Sequence, residues 1–187
     1  MLDIETFSSS KESLIVSVAA VSFKSDKGTD DLTESDIFYR KVDFSDPDIK
    51  KFNIDVNTIL WWFKQNEKVR NEAFLSKDNR WKIRDVLIGL KDFINSKGRD
   101  PIIYNKGIDF DSIILENAYS VLNIEVPWKF YNKMDSRTLM KFFDIKNEDL
   151  VKNLNGFKEV DAHNPVYDCL IQINCVKIAY DLLHNKK

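Results

Sequence analysis

Cysteine is nearly missing from this chain: Cys169 and Cys175 are the only two in 187 residues. Six positions apart on one helix they would point to different faces, so no easy bridge forms between them. There are also only two histidines, and no Cys/His grouping has zinc-ligand spacing. A reducing cytosol is the compartment this cysteine usage suggests. The five glycines form no Gly-x-Gly-x-x-Gly loop, which argues against a dinucleotide-binding α/β protein. The start lacks a basic stretch followed by an apolar core, and no run of about 18 apolar residues occurs, so neither a secretory signal nor a membrane span is expected. No charge sign dominates either. With 28 Lys+Arg against 30 Asp+Glu the formal charge is −2, without the global basic excess that drives non-specific nucleic-acid binding.

What is present is unevenly distributed. Residues 1–60 carry 7 basic and 12 acidic side chains, residues 61–106 carry 11 and 6, and residues 107–187 carry 10 and 12, giving −5, +5 and −2. Such a chain can gather cations at acidic groups from both ends and offer Lys/Arg to a polyanion from the middle. A solvated helix surface is the other reading of the middle segment. The length fits one domain over residues 1–187, able to bury on the order of 70% of its unfolded surface.

Hydrophobic periodicity places the elements. Leu14–Phe23 is rich in apolar and β-branched residues and reads as a buried strand after a short first one. Lys27-Gly28 turns the chain, and Asp36–Phe44 alternates as a third, more exposed strand, which implies an antiparallel meander. From Asn57 the period changes: Ile59, Trp62, Phe63, Val69 and Phe74 fit a helix, and Val86, Leu87, Leu90, Phe93 and Ile94 a second, with Gly98 beyond its end. Pro101–Tyr104 reads as a short buried strand, and Ile114–Leu122 resumes helical spacing. A last strand is expected around Phe130, a helix capped by Ser136 through Phe143, and an exposed loop over Asp144–Asp161. Asn164 as N-cap and Pro165 at the first helical position start the final helix, whose stripe Val166, Cys169, Leu170, Ile173 and Val176 faces the core. This order predicts an α/β or α+β layered sheet of mixed direction.

Three groupings carry chemistry. On a strand, Asp3 and Glu5 share one face, and two adjacent carboxylates are costly to hold together unless a cation neutralises them. Asp111 stands where a strand ends and a helix begins; it is either a functional carboxylate or an ordinary N-cap, and Asp109 competes for either role. His163 lies just before the last helix and Asp168 one turn in, so both can project toward one end of the sheet.

The order Asp3-Ile-Glu5-Thr6, Phe110-Asp111 and His163-x4-Asp168 resembles the DEDDh 3′–5′ exonucleases of the ribonuclease H-like superfamily. Trp61-Trp62-x-x-Gln65 and Asp135-Ser-Arg137-Thr138 are similar to the subgroup that holds the exonuclease A of T-even phages and the mycobacterial-type exoribonucleases. The resemblance spans nearly the whole chain. It implies an α/β, ribonuclease H-like fold with a mixed sheet of about five strands flanked by helices. It also implies that Asp3, Glu5, Asp111 and Asp168 ligate two divalent ions, Mg²⁺ or Mn²⁺, and that His163 is the general base. The expected substrates are 3′ ends of single-stranded DNA or RNA, released as nucleoside 5′-monophosphates, with no membrane partner. Four carboxylates balance two such ions, which together clamp the attacking and leaving oxygens of an in-line displacement.

Substrate contacts are expected from Thr6, Trp62, Gln65 and Arg137. Trp61 and Trp62 are about 100° apart on a helix, so they cannot both face the core squarely; Trp62 is the candidate for stacking, with packing as the other reading of both. Asp135 and Arg137 support the site or form a structural ion pair. Two departures from the family pattern stand out. Gly107 replaces the common Asn of the second motif, and only Met1 and Leu2 precede Asp3, so the first strand is either unusually short or continues upstream. A non-catalytic ribonuclease H-like binding or interaction module is the alternative function. RNA versus DNA and the oligomeric state, a homodimer included, stay open at this level.

Overall fold

Every residue of Ile15–Val21 is buried, which requires cover on both faces of the strand. The computed structural model, which describes residues 1–151 and 163–184, supplies that cover. Strands β1 (Leu2–Thr6), β2 (Ile15–Val21) and β3 (Ile37–Val42) form the expected antiparallel meander, with Asp3 opposite Ala19 and Ala19 opposite Tyr39. Then come α1 (Val56–Phe63), α2 (Glu67–Arg70), a π-type turn over Asn71–Leu75, β4 (Arg80–Trp81), α3 (Ile83–Ser96), β5 (Ile103–Asn105) and α4 (Asp111–Val121). The described chain ends with β6 (Lys133–Asp135), α5 (Ser136–Phe142), α6 (Asn147–Val151) and α7 (Pro165–His184).

Strand alternation sorts the core into two layers. Leu2, Ile4, Val18 and Ala20 pack against Val86, Leu87 and Leu90 of α3 and Ile114, Leu115 and Ala118 of α4. On the other face Met1, Ala19 and Val21 meet Tyr167, Cys169, Leu170, Ile173 and Val176 of α7. Asp3 and Glu5, sharing the parity of Met1, therefore face α7. Cys169 and Cys175 are both free and buried. Their thiols approach different carbonyls, of Ala19 and Ser136.

The sheet differs from the expected single sheet of about five strands. Four strands run in the order β1-β2-β3-β4, with β4 parallel to β3, and β5 and β6 form a separate parallel pair. The reason lies at the outer edge of β1. Met1 exchanges its backbone groups with Val21, so Leu2 and Ile4 turn theirs the other way. Side chains meet them there: Asn105 Nδ2 donates to the Leu2 carbonyl at 3.1 Å, and Ile4 N–H donates to Asp111 Oδ1 at 3.2 Å. Asn105 and Asp111 thus hold β5 and α4 against β1 without a backbone ladder.

Smaller differences have local causes. The helix expected through Phe74 breaks at Lys64–Asn66, because the Asn66 side chain accepts from Lys68 N–H and caps a new helix. Phe130–Asn132 is a 3₁₀ turn and the strand follows it. Asp135, not Ser136, caps α5, accepting from Arg137 N–H at 3.0 Å. Asn147–Val151 of the expected loop is helical, and residues 152–161 of that loop lie outside the described residues. β4, only two residues long, is too short to show an alternation.

Much of the basic middle segment is used up in packing. Arg80 gives its guanidinium to the carbonyls of Val42, Ala73 and Ser76. Arg84 bonds the Leu122 carbonyl, Arg70 the Phe63 carbonyl, and Lys91 and Lys97 pair with Glu125 and Asp36. Lys41, wholly buried on β3, gives its three donors to Glu72 Oε1, the Glu72 carbonyl and Ser76 Oγ.

Candidate active site

The two ends of the chain and its middle meet at one cavity. β1 brings Asp3 and Glu5, α4 brings Asp111, and the start of α7 brings His163 and Asp168. All five line a space of about 420 Å³, together with Lys106 and Gln172. A register shift between Glu5 and Thr6 ends regular pairing just past the second carboxylate. Asn164 caps α7 as expected, accepting from Val166 N–H at 3.0 Å. His163 precedes the cap at φ +65°, and its ring meets Trp61 edge-on at 5.0 Å. Glu5, His163 and Asp168 each offer a ligand atom within 4.8 Å of the others.

Of the two aspartates, the one that lines the cavity is Asp111. It is buried, its carboxylate accepts from a neighbouring strand rather than capping its own helix, and Asp109 is exposed. The Asp111 carboxyl is pushed up to about 7, chiefly by burial, against the pull of its bond from Ile4 N–H and of the Arg137 charge. Asp3 is raised well above the usual range by burial and then by Asp111, Asp168 and Glu5, with the 2.8 Å bond from Gln172 Nε2 opposing. Burial, Asp168 and Asp111 raise Glu5 likewise. Burial raises Asp168 too, against the pull of His163 and Lys106.

Four carboxylates that resist ionising together form an all-oxygen donor set for hard divalent cations. Gln172 adds a second observation. Among the described residues its buried Oε1 has no hydrogen-bond partner, an orphan acceptor at the cavity wall. The residues present fit the divalent ions that the motifs imply.

The expected substrate residues are placed elsewhere. Trp62 is 2% exposed; its indole N–H donates to the Thr6 carbonyl at 3.0 Å and its ring packs on Phe74, Val16 and Ala73. It anchors α1 to the end of β1 and cannot offer a stacking face. Trp61, 41% exposed and against His163, can. Thr6 is buried with its hydroxyl on the Ser8 carbonyl, and Gln65 bonds the Trp61 carbonyl. Arg137 lies over Gly107 and donates to the Lys106 carbonyl at 2.9 Å. Asp135 accepts from Gly107 N–H at 2.9 Å as well as from Arg137 N–H and Thr138 Oγ1. The Asp135-Ser-Arg137-Thr138 segment therefore fixes the loop before Asp111, and no Asp135–Arg137 ion pair is formed among the described residues. Gly107 suits that loop: its φ is +109°, and a Cβ would stand 3.0 Å from the guanidinium.

Sequence reasoning weighed Trp61 but preferred Trp62 for stacking, and it missed Lys106, Gln172 and Asn105. Gln172 alone had a signal, standing four residues after Asp168 and hence on the same helical face.

Trp62→Ala is expected to destabilise the protein by about 3–5 kcal/mol, whereas Trp61→Ala costs a small fraction of that. Thermal melts of the two variants check the assignment, and equal losses would refute it.

No curated protein and no solved structure matches the chain. A model of the 3′–5′ exoribonuclease Rv2179c-like domain matches residues 1–180. No helix among the described residues is long and apolar enough to cross a membrane. With four converging carboxylates, a histidine at their edge and a family match over nearly its whole length, the chain belongs to the 3′–5′ exoribonuclease Rv2179c-like domain family.

Proposed function

We propose that this protein is a metal-dependent 3′–5′ exonuclease of the DEDDh type, built on a ribonuclease H-like fold. It would remove nucleoside 5′-monophosphates one at a time from single-stranded 3′ ends. The observation that carries this reading is the convergence of Asp3, Glu5, Asp111, Asp168 and His163 on one cavity. RNA is the favoured substrate, because the family is one of exoribonucleases.

The four carboxylates would hold two Mg²⁺ or Mn²⁺ ions, which when bound supply charge neutralisation and polarisation at the scissile phosphate. The protein's own groups do the rest. His163, at the edge of the carboxylate cluster, takes a proton from the attacking water as its oxygen bonds to phosphorus. The bond from phosphorus to the preceding O3′ breaks, and that oxygen leaves with the shortened strand and acquires a proton. Trp61 offers its exposed face to the terminal base, a contact that tolerates any sequence, while Trp62 holds the helix that presents it. Gln172 orients Asp3 through its amide N–H.

Incubating the protein with 3′-labelled and 5′-labelled single strands of RNA and DNA, with Mg²⁺, Mn²⁺ or EDTA, tests the proposal. The expected result is immediate release of label as mononucleotide from the 3′-labelled strand, a one-nucleotide ladder from the 5′-labelled strand, and no reaction in EDTA. Internal cuts, activity in EDTA, or binding without cleavage would each count against it.

A further inference from the structure

Lys106 is the basic residue of the chain's middle that lines the carboxylate cavity. Arg70, Arg80, Arg84, Lys91 and Lys97 are engaged in carbonyl bonds or ion pairs. Lys106 lines the carboxylate cavity, and its Nζ makes no hydrogen bond or ion pair among the described residues. Its charge acts on Asp168, yet among the described residues it closes no ion pair, and a lysine so placed beside four carboxylates calls for an explanation.

The backbone around Lys106 is held at every peptide. Asn105 gives its side chain to the Leu2 carbonyl and takes a 2.5 Å bond from Ser112 Oγ, while Ser136 Oγ donates to the Asn105 carbonyl at 3.1 Å. Arg137 holds the Lys106 carbonyl and Asp135 the Gly107 N–H. The side chain therefore projects from a rigid turn whose supports come from β1, α4 and the segment that starts α5. Rigid placement of a cation in a low-dielectric cavity is what stabilises charge that develops during a reaction.

The charge count says which charge that is. Four carboxylates and two divalent cations cancel. The phosphodiester brings one negative charge, and attack at phosphorus concentrates more on its non-bridging oxygens. Resting on the exonuclease reading above, we propose that Lys106 is a further catalytic residue, its ammonium contacting a non-bridging oxygen of the scissile phosphate and stabilising the transition state. The Asp135-Ser-Arg137-Thr138 segment then has a catalytic consequence, because it fixes the turn that carries this lysine.

Lys106→Met and Lys106→Arg, assayed beside the unaltered protein on 3′-labelled single-stranded RNA at saturating Mg²⁺, test this. Lys106→Met is expected to lower kcat on the order of 10²-fold, with Lys106→Arg recovering most of it. For Lys106→Met the slope of log(kcat/KM) against log[KCl] is expected to flatten by about 0.7, as one single-strand phosphate contact is lost. A lysine that only offsets carboxylate repulsion would leave kcat at saturating Mg²⁺ unchanged, and its removal would lower the Mg²⁺ concentration needed for half-maximal rate, because a cation competing with the metal is gone. An unchanged kcat, with or without that tighter Mg²⁺ dependence, or Lys106→Arg as impaired as Lys106→Met would overturn the proposal. An unaltered protein that cleaves no strand would overturn the exonuclease reading, and this proposal with it; an active protein indifferent to Lys106 would overturn this proposal alone.

Discussion

Asp3→Asn is expected to lower turnover on the order of 10³-fold, the equivalent of several kcal/mol of lost transition-state stabilisation, while making the metal-free protein more stable. The opposite signs have one cause. Asp3 lies deep among Asp111, Asp168 and Glu5, and burial with their charges holds its carboxyl well above the usual range. The folded protein thus keeps a proton that the unfolded chain has lost. Stability from that proton is complete below the ordinary carboxylate pKa near 4 and is lost as pH rises toward the folded value. Asp111, pushed up to about 7, behaves likewise. Asn keeps an acceptor for Gln172 Nε2 but carries no charge. In EDTA, the melting temperature of Asp3→Asn should therefore exceed that of the unaltered protein by a margin that widens above about pH 4, each kcal/mol of relief giving about 2–4 °C. At saturating Mn²⁺ the order should reverse, since the variant lacks a ligand. Melting curves at several pH values with and without Mn²⁺ check both signs, and a variant destabilised in EDTA would show that Asp3 is structural.

His163→Ala should lower kcat by about 10²–10⁴-fold, the usual contribution of a positioned general base. All four carboxylates remain, so divalent cations should still stabilise the variant. At 100 times Kd that stabilisation is about 2.7 kcal/mol, a shift of about 5–10 °C. The two readouts matter together because His163 also stands within ligand distance of Glu5 and Asp168. If the substitution removes the cation-induced shift, His163 is a ligand and the base must be sought elsewhere. The backbone adds a complication, since φ is +65° at this residue and alanine tolerates that region poorly. Asparagine tolerates it better. His163→Asn should therefore share the loss of turnover but keep the melting temperature, and near-normal turnover in that variant would remove His163 from the mechanism.

Both experiments rest on residues that the linear sequence already singled out. Asp3-x-Glu5 is a local pattern: strand parity alone sends the two carboxylates to one face. Asn164-Pro165 is equally local, because a cap and a proline at the first helical position need nothing from the rest of the chain, and they place His163 and Asp168 at the start of α7. Parity and capping likewise account for the meander and for α3, α4 and α7. Local signals did not settle competitions between neighbours of similar chemistry. Asp109 and Asp111, Asp135 and Ser136, Trp61 and Trp62 are each pairs in which either residue would serve, and packing chose between them. Trp62 went to the core because its indole N–H met the Thr6 carbonyl, which left Trp61 against His163.

By itself, then, the sequence determined the meander, α3 and α4, where α7 begins, and that carboxylates from the start, middle and end of the chain could share a site, because these follow from periodicity, caps and residue chemistry within a few positions. Only the tertiary structure decided that β5 and β6 stand apart from the main sheet, that Asn105 and Asp111 tie them and α4 to β1, and that Gln172 and Lys106 belong to the cavity. The ties to β1 depend on buried polar groups finding partners about a hundred residues away along the chain, and the cavity gathers side chains from elements that lie far apart in sequence.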